Sequence, residues 1–192
     1  MNTISQEQLI RNFKVMHDGE IDFFLGAGAS IQSGIPTGGN LVWHFKRELY
    51  CIENKLSLEL YKDLKLTATQ ELLQNYFDNQ GTHPPLYAPE EYSHYFEQCY
   101  STIISRKRFI EGLVEGKNPS LGYLCLADFI THSKVKNVWT TNFDALVEAS
   151  ISTLNPSFPY VVCSSANQDS FSLLNPEYPA ICKLHGDYRY DK

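Results

Sequence analysis

The chain has 192 residues, enough to bury a core of its own, and a single domain is the default at that length. Its 43% hydrophobic and 13% aromatic content exclude a disordered chain. A formal net charge of −6 argues against a nucleic-acid binder held by a general positive field, yet a few oriented N–H groups can still grip a small anion.

In chain order, residues 5–17 read as a helix. Ser5 with Gln8 fits a capping box, Leu9, Ile10 and Phe13 share one face, and His17-Asp18-Gly19 ends the helix. Residues 21–25 are short and apolar, as in a central strand, and run directly into Gly26-Ala27-Gly28-Ala29-Ser30. Pro36 and Gly38-Gly39 precede a helix from Asn40 to about Tyr50. A helical, aromatic-rich stretch follows from about 55 to 133. Tyr61, Leu64, Leu72, Leu73, Tyr76 and Phe77 fall near helical spacing, His83-Pro84-Pro85 breaks the pattern, Pro89 reads as a first helical residue, and Asn118-Pro119 restarts it.

Strand character returns at Val138-Trp139-Thr140, with a helix from Asn142 to about Thr153. Further strands are expected at 160–163 and 180–184. This order predicts an α/β domain with a parallel sheet and a large helical insertion at about 50–133. In such sheets a ligand binds beyond the carboxyl ends of the strands. Three segments fall there: the glycine loop, Thr140-Thr141-Asn142-Phe143-Asp144, and Lys183-Leu184-His185-Gly186-Asp187.

The five cysteines are widely spaced and no two form a C-x-x-C pair, so zinc-ribbon spacing is absent and no metal is expected. Reduced thiols, no signal-peptide pattern and no apolar run near the roughly 20 residues that span a bilayer predict a cytoplasmic protein without a membrane partner.

Each segment has two readings. The glycine loop is either a tight strand-to-helix turn or a phosphate cradle. Gly26 and Gly28 match the start of G-x-G-x-x-G, but Ile31 stands at the third glycine, and no lysine follows as an ATP-type loop requires. Asn142 or Asp144 alone suits an N-cap, whereas Asn142 can also order water against a sugar hydroxyl. His185 is either a structural histidine or a proton-transfer group near neutral pH, with Gly186 leaving room beside the ring.

Taken together, Gly26-Ala27-Gly28-Ala29-Ser30, Gly34-Ile35-Pro36, Thr140-Thr141-Asn142-Phe143-Asp144 and His185-Gly186 resemble the sirtuin (SIR2-like) superfamily, closest to the SIR2-like domains of bacterial antiphage defence proteins. That resemblance covers about residues 21–187. It implies a Rossmann-like sheet, a single domain over 1–192, and NAD⁺ as substrate, cleaved at its nicotinamide–ribose bond. By motif match Asn142 positions a water or ribose hydroxyl and His185 is the general base. Asp144 holds the nicotinamide-side ribose and the local fold, and Gly26, Ala27, Gly28, Ser30, Ile35, Pro36 and Thr141 complete the NAD⁺ site.

Departures from the family narrow the activity. Deacylating members read T-Q-N-I-D where Thr141 stands here, continue G-I-P with Asp-Phe-Arg where this chain has Thr37-Gly38-Gly39, and carry paired cysteine ligands for zinc. NAD⁺ hydrolysis is therefore expected ahead of protein deacylation. Family members also continue past H-G with strands that bind the adenosine half, whereas this chain stops five residues after Asp187. The sheet is thus expected to be truncated on its C-terminal side, within a longer effector that carries a C-terminal sensor domain or forms a homo-oligomer. The alternatives are an NAD⁺ or ADP-ribose sensor without turnover and an assembly domain.

Overall fold

The computed structural model describes residues 4–18, 21–165, 169–170 and 177–187. The chain forms two compact units, one made of Met1–Gly34 with Gly116–Lys192 and the other of Ile35–Glu115.

The first unit holds the sheet. Strands β1 (Ile21–Leu25), β2 (Val135–Thr140), β3 (Val161–Ser164) and β4 (Ala180–Lys183) are arranged β1-β2-β4-β3. Every pairing is parallel, so all four carboxyl ends lie at the same end of the sheet. β2 begins three residues before the expected Val138. Asp22 explains the extension: its carboxylate accepts from Asn137 N at 3.0 Å and Asn137 Nδ2 at 2.9 Å, which holds the incoming chain beside β1.

Helix α1 (Gln6–Val15) starts as expected: Gln8 N donates to Ser5 Oγ at 3.2 Å and Ser5 N donates to Gln8 Oε1 at 3.0 Å. It ends at Val15, ahead of His17-Asp18, because Met16 turns extended; Gly19 lies outside the described residues. The glycine loop continues into a 3₁₀ helix, Ala27–Ser33, closed by Gly34 in the left-handed region at φ 81°. Gly26 itself is extended at φ −112°, so the freedom of glycine at positive φ is used at Gly34 and not there.

Helices α2 (Gly38–Glu53), α3 (Thr67–Gln80), α4 (Glu91–Cys99) and α5 (Ile103–Val114) build the second unit. Phe45 of α2 is fully buried, with the rings of Phe96, Phe109, Tyr92 and Tyr100 at centroid distances of 5.2, 5.3, 5.9 and 6.1 Å. Tyr61 and Leu64 lie in turns, not in a helix. Ser57 Oγ and Asp63 Oδ1 accept the backbone N–H two residues on, which favours turns over helix. Pro89 precedes the N-cap Glu90 instead of opening α4.

Helix α6 (Leu121–Thr131), expected within the insertion, belongs to the sheet unit. It buries Tyr123, Leu126, Ala127 and Ile130 and packs on β2 and on α7 (Leu146–Leu154). Helix α7 starts at Leu146, four residues after Asn142, because the intervening side chains are engaged elsewhere. Among the described residues the fold is α/β: a four-stranded parallel sheet, seven α-helices and one 3₁₀ helix, in the manner of a Rossmann-like sheet with a helical insertion. None of these helices is long and apolar enough to cross a membrane.

Candidate functional site

The ends of three strands are laced together beyond their ladders. Thr141 N donates to Leu25 O at 3.1 Å, joining the loop after β2 to the end of β1. Leu184 N donates to Thr140 O at 2.8 Å, joining the loop after β4 to the end of β2. Thr140 pairs with Lys183 across the ladder, so Asn142 and His185 each stand two residues past the last paired position of adjacent strands. The parallel register therefore sets the glycine loop, the Asn142 loop and the His185 turn side by side.

Asn142 is buried, and its amide nitrogen faces inward. Nδ2 donates to Gly26 O at 3.1 Å, to Ser30 Oγ at 3.1 Å, and lies 3.4 Å from Tyr123 OH. A backbone carbonyl can only accept, so the contact with Gly26 fixes which end of the amide is nitrogen. Asn142 Oδ1 has no donor among the described residues and is the atom left for a ligand. Asn142 N donates to Thr140 Oγ1 at 2.9 Å, which turns the chain inward where a helix would otherwise begin.

Ser30 is the hub. Its Oγ donates to Asp144 Oδ2 at 2.7 Å and lies 2.9 Å from Tyr123 OH. A serine hydroxyl has one hydrogen, and Asp144 takes it, so Tyr123 donates to Ser30. Asp144 is buried and its Oδ1 accepts from Leu146 N at 3.1 Å, the service an N-cap side chain performs. Burial raises the Tyr123 phenol above its ordinary value of 10.0, and the nearby Asp144 charge adds to the rise. The phenol therefore stays a donor at neutral pH.

The remaining expected residues are dispersed. Gly26, Ala27 and Gly28 are exposed, and a Cβ added at Gly26 or Gly28 would meet nothing within 4 Å. The backbone there is bare, and a ligand can approach it closely. Thr141 is half-buried, and His185 is exposed in the turn after β4. Ile35 is buried and Pro36 half-buried, both within the helical unit.

Below the loops lies a charged cluster. Lys183 is fully buried, and its ammonium donates to Asp144 O at 2.7 Å and pairs with Asp187 Oδ2 at 2.7 Å and Glu148 Oε1 at 3.0 Å. No role was expected for Tyr123, Lys183 or Glu148, although Lys183 opens one of the three marked segments. Lys183 carried a usable signal, being a charged residue in the apolar strand Ala180-Ile181-Cys182-Lys183-Leu184, where burial demands partners. Tyr123 carried none, since a tyrosine in an apolar helix reads as core. Among the described residues no group of three or more His, Cys, Asp or Glu side chains could hold a metal ion.

No protein-family model matches the chain. Over 184 residues it is 27% identical to the protein named NAD(+) hydrolase ThsA of Cytobacillus dafuensis. The likeness takes in 95% of this chain but 30% of that protein, so the chain spans about a third of the relative's length.

Proposed function

We propose that this chain is the catalytic part of an NAD⁺ hydrolase, in the SIR2-like manner, cleaving the nicotinamide–ribose bond. The observation that carries the reading is Asn142. Its amide nitrogen donates inward to Gly26 O and Ser30 Oγ beside the glycine loop, and its carbonyl oxygen has no donor among the described residues. The likeness to an NAD⁺ hydrolase supports the same substrate.

In this reading the bare Gly26-Ala27-Gly28 backbone receives the pyrophosphate, with Ser30 fixing the loop from below. Thr141 completes the surface around the dinucleotide. The C1′–N bond to nicotinamide breaks and its electron pair leaves with the neutral ring, so positive charge develops on the ribose. The carboxylates of Glu148 and Asp187 share one ammonium while that of Asp144 is buried in the adjoining loop, and this excess of buried negative charge favours that positive charge. Asn142 Oδ1 accepts a hydrogen bond from the attacking water or a ribose hydroxyl. His185 takes the proton as the water oxygen bonds to C1′, leaving nicotinamide, ADP-ribose and a proton. General-base help of this kind is worth about 10²–10⁴-fold.

The wider reading follows: one interrupted domain, acting in the cytoplasm as an antiphage effector that depletes NAD⁺, without metal or nucleic acid, within a longer protein that carries a sensor domain or self-associates. The test is to mix the protein with NAD⁺ and quantify free nicotinamide. Release that vanishes in Asn142→Ala and His185→Ala supports the assignment. Equal release from the variants and the wild type defeats it, and tight NAD⁺ binding with no release points to a sensor.

A further inference from the structure

Lys183 sits where a lysine is expensive. An ammonium removed from water is tolerated only when each of its donors is met. Here each is met: the three hydrogens have Asp144 O, Asp187 Oδ2 and Glu148 Oε1 at 2.7, 2.7 and 3.0 Å. These acceptors come from three places in the chain. Asp144 belongs to the loop of Asn142, Glu148 to the first turn of α7, and Asp187 to the far side of the His185 turn. Lys183 and Asp187 are four residues apart and bracket Leu184, His185 and Gly186. Gly186 is buried at φ 89°, in the left-handed region that favours glycine, so the turn is tight. His185 is exposed, so packing of its own ring does little to fix it.

We propose that Lys183 is a positioning residue that clamps the His185-Gly186 turn to the Asn142–Asp144 loop and so sets where the imidazole stands. This deepens the hydrolase reading and rests on it for its catalytic consequence. The clamp itself is a statement about the turn and has its own readout.

The experiment compares the wild-type protein with Asp187→Asn and Lys183→Met by nicotinamide release across pH, by hydrogen exchange and by thermal melting. Asp187→Asn keeps the shape and removes the charge that holds the turn. It is expected to lower kcat about 10- to 100-fold with KM for NAD⁺ changed less than about threefold, as for a misplaced base with intact binding. The acidic limb of its pH–kcat profile is expected to shift. Its amides at 184–187 are expected to exchange at least about tenfold faster while those of β1 are unchanged. Unchanged kcat or unchanged protection at 184–187 overturns the proposal, and so does a loss in KM alone. If Lys183→Met does not fold, Asp187→Asn decides. If the wild type releases no nicotinamide, the hydrolase reading has failed, and exchange at 184–187 alone judges the clamp.

Discussion

Ser30 and Asp144, 114 residues apart in sequence, are joined by a 2.7 Å hydrogen bond from hydroxyl to carboxylate, buried beneath the glycine loop. The bond ties the loop after β1 to the loop after β2 and places the hydroxyl where Asn142 can donate to it. Ser30→Ala leaves Asp144 Oδ2, the Tyr123 hydroxyl and one amide hydrogen of Asn142 short of a partner. The expected cost is about 1–3 kcal/mol in urea unfolding, because buried polar groups lose their hydrogen bonds without regaining water. Nicotinamide release is expected to fall with it.

Tyr123→Phe removes one donor and leaves the ring in place. Ser30 then keeps its bonds to Asp144 and Asn142 and loses the one it accepts from Tyr123, for a loss of about 1 kcal/mol. Equilibrium denaturation of the two single variants and the double variant checks the coupling. Ser30 and Tyr123 share a contact, so the double variant is expected to be less destabilised than the sum of the two.

Asn142→Asp tests the orientation of the amide. The new side chain presents an oxygen to Gly26 O where a donor stood at 3.1 Å. Both the fold and the activity are expected to suffer, with a loss of about 1–3 kcal/mol or more in stability, whereas Asn142→Ala mainly abolishes activity. If Asn142→Asp were as stable as the wild type, the inward-facing nitrogen would be the wrong assignment.

In the helical unit, fully buried Lys46 contacts Glu91 Oε1 at 2.5 Å and Gln74 Oε1 at 2.6 Å, with the Trp43 and Tyr95 rings at 4.7 and 4.8 Å. Lys46→Met strands a buried carboxylate and is expected to cost about 3–5 kcal/mol. The double variant Lys46→Met/Glu91→Leu is expected to recover at least about half of that loss, since an apolar pair needs no mutual charge. Thermal and urea unfolding of the pair distinguishes this from a simple packing defect.

His44 and His83 give the helical unit a pH dependence. Burial pushes both below the ordinary value of 6.5. Arg47 adds to the effect at His44 against Glu48, and His94 and Lys46 add to it at His83 against Glu53. A depressed folded-state value means that below about pH 6.5 the unfolded chain binds protons the folded one does not. Stability is therefore full above that pH and falls as acid is added toward the folded values. Urea midpoints between about pH 8 and 5 should decline, and His44→Gln should flatten the decline.

The sequence by itself carried what local chemistry decides. The capping box at Ser5 and Gln8, the apolar run of β1, the glycine loop and the polar segments at strand ends were all legible. Each depends on residues a few positions apart, and the parallel strands followed from their spacing. Local patterns failed where a distant partner won. β2 was read three residues short because Asp22, 115 positions away, holds Asn137. The helix expected from Asn142 starts at Leu146 because Asn142 turns inward to Gly26 and Ser30. Residues 57–65 carried helical spacing but formed turns, since Ser57 and Asp63 compete for the backbone at short range.

Which atom of Asn142 faces outward, which residues brace it, and why a lysine lies in β4 were left to tertiary structure. A hydrogen bond has no sequence signature when its partners are separated by a whole helical unit. The register of β2 against β4 is what brings the Asn142 loop beside the His185 turn. That register is a property of paired backbones, and residue type alone does not encode it.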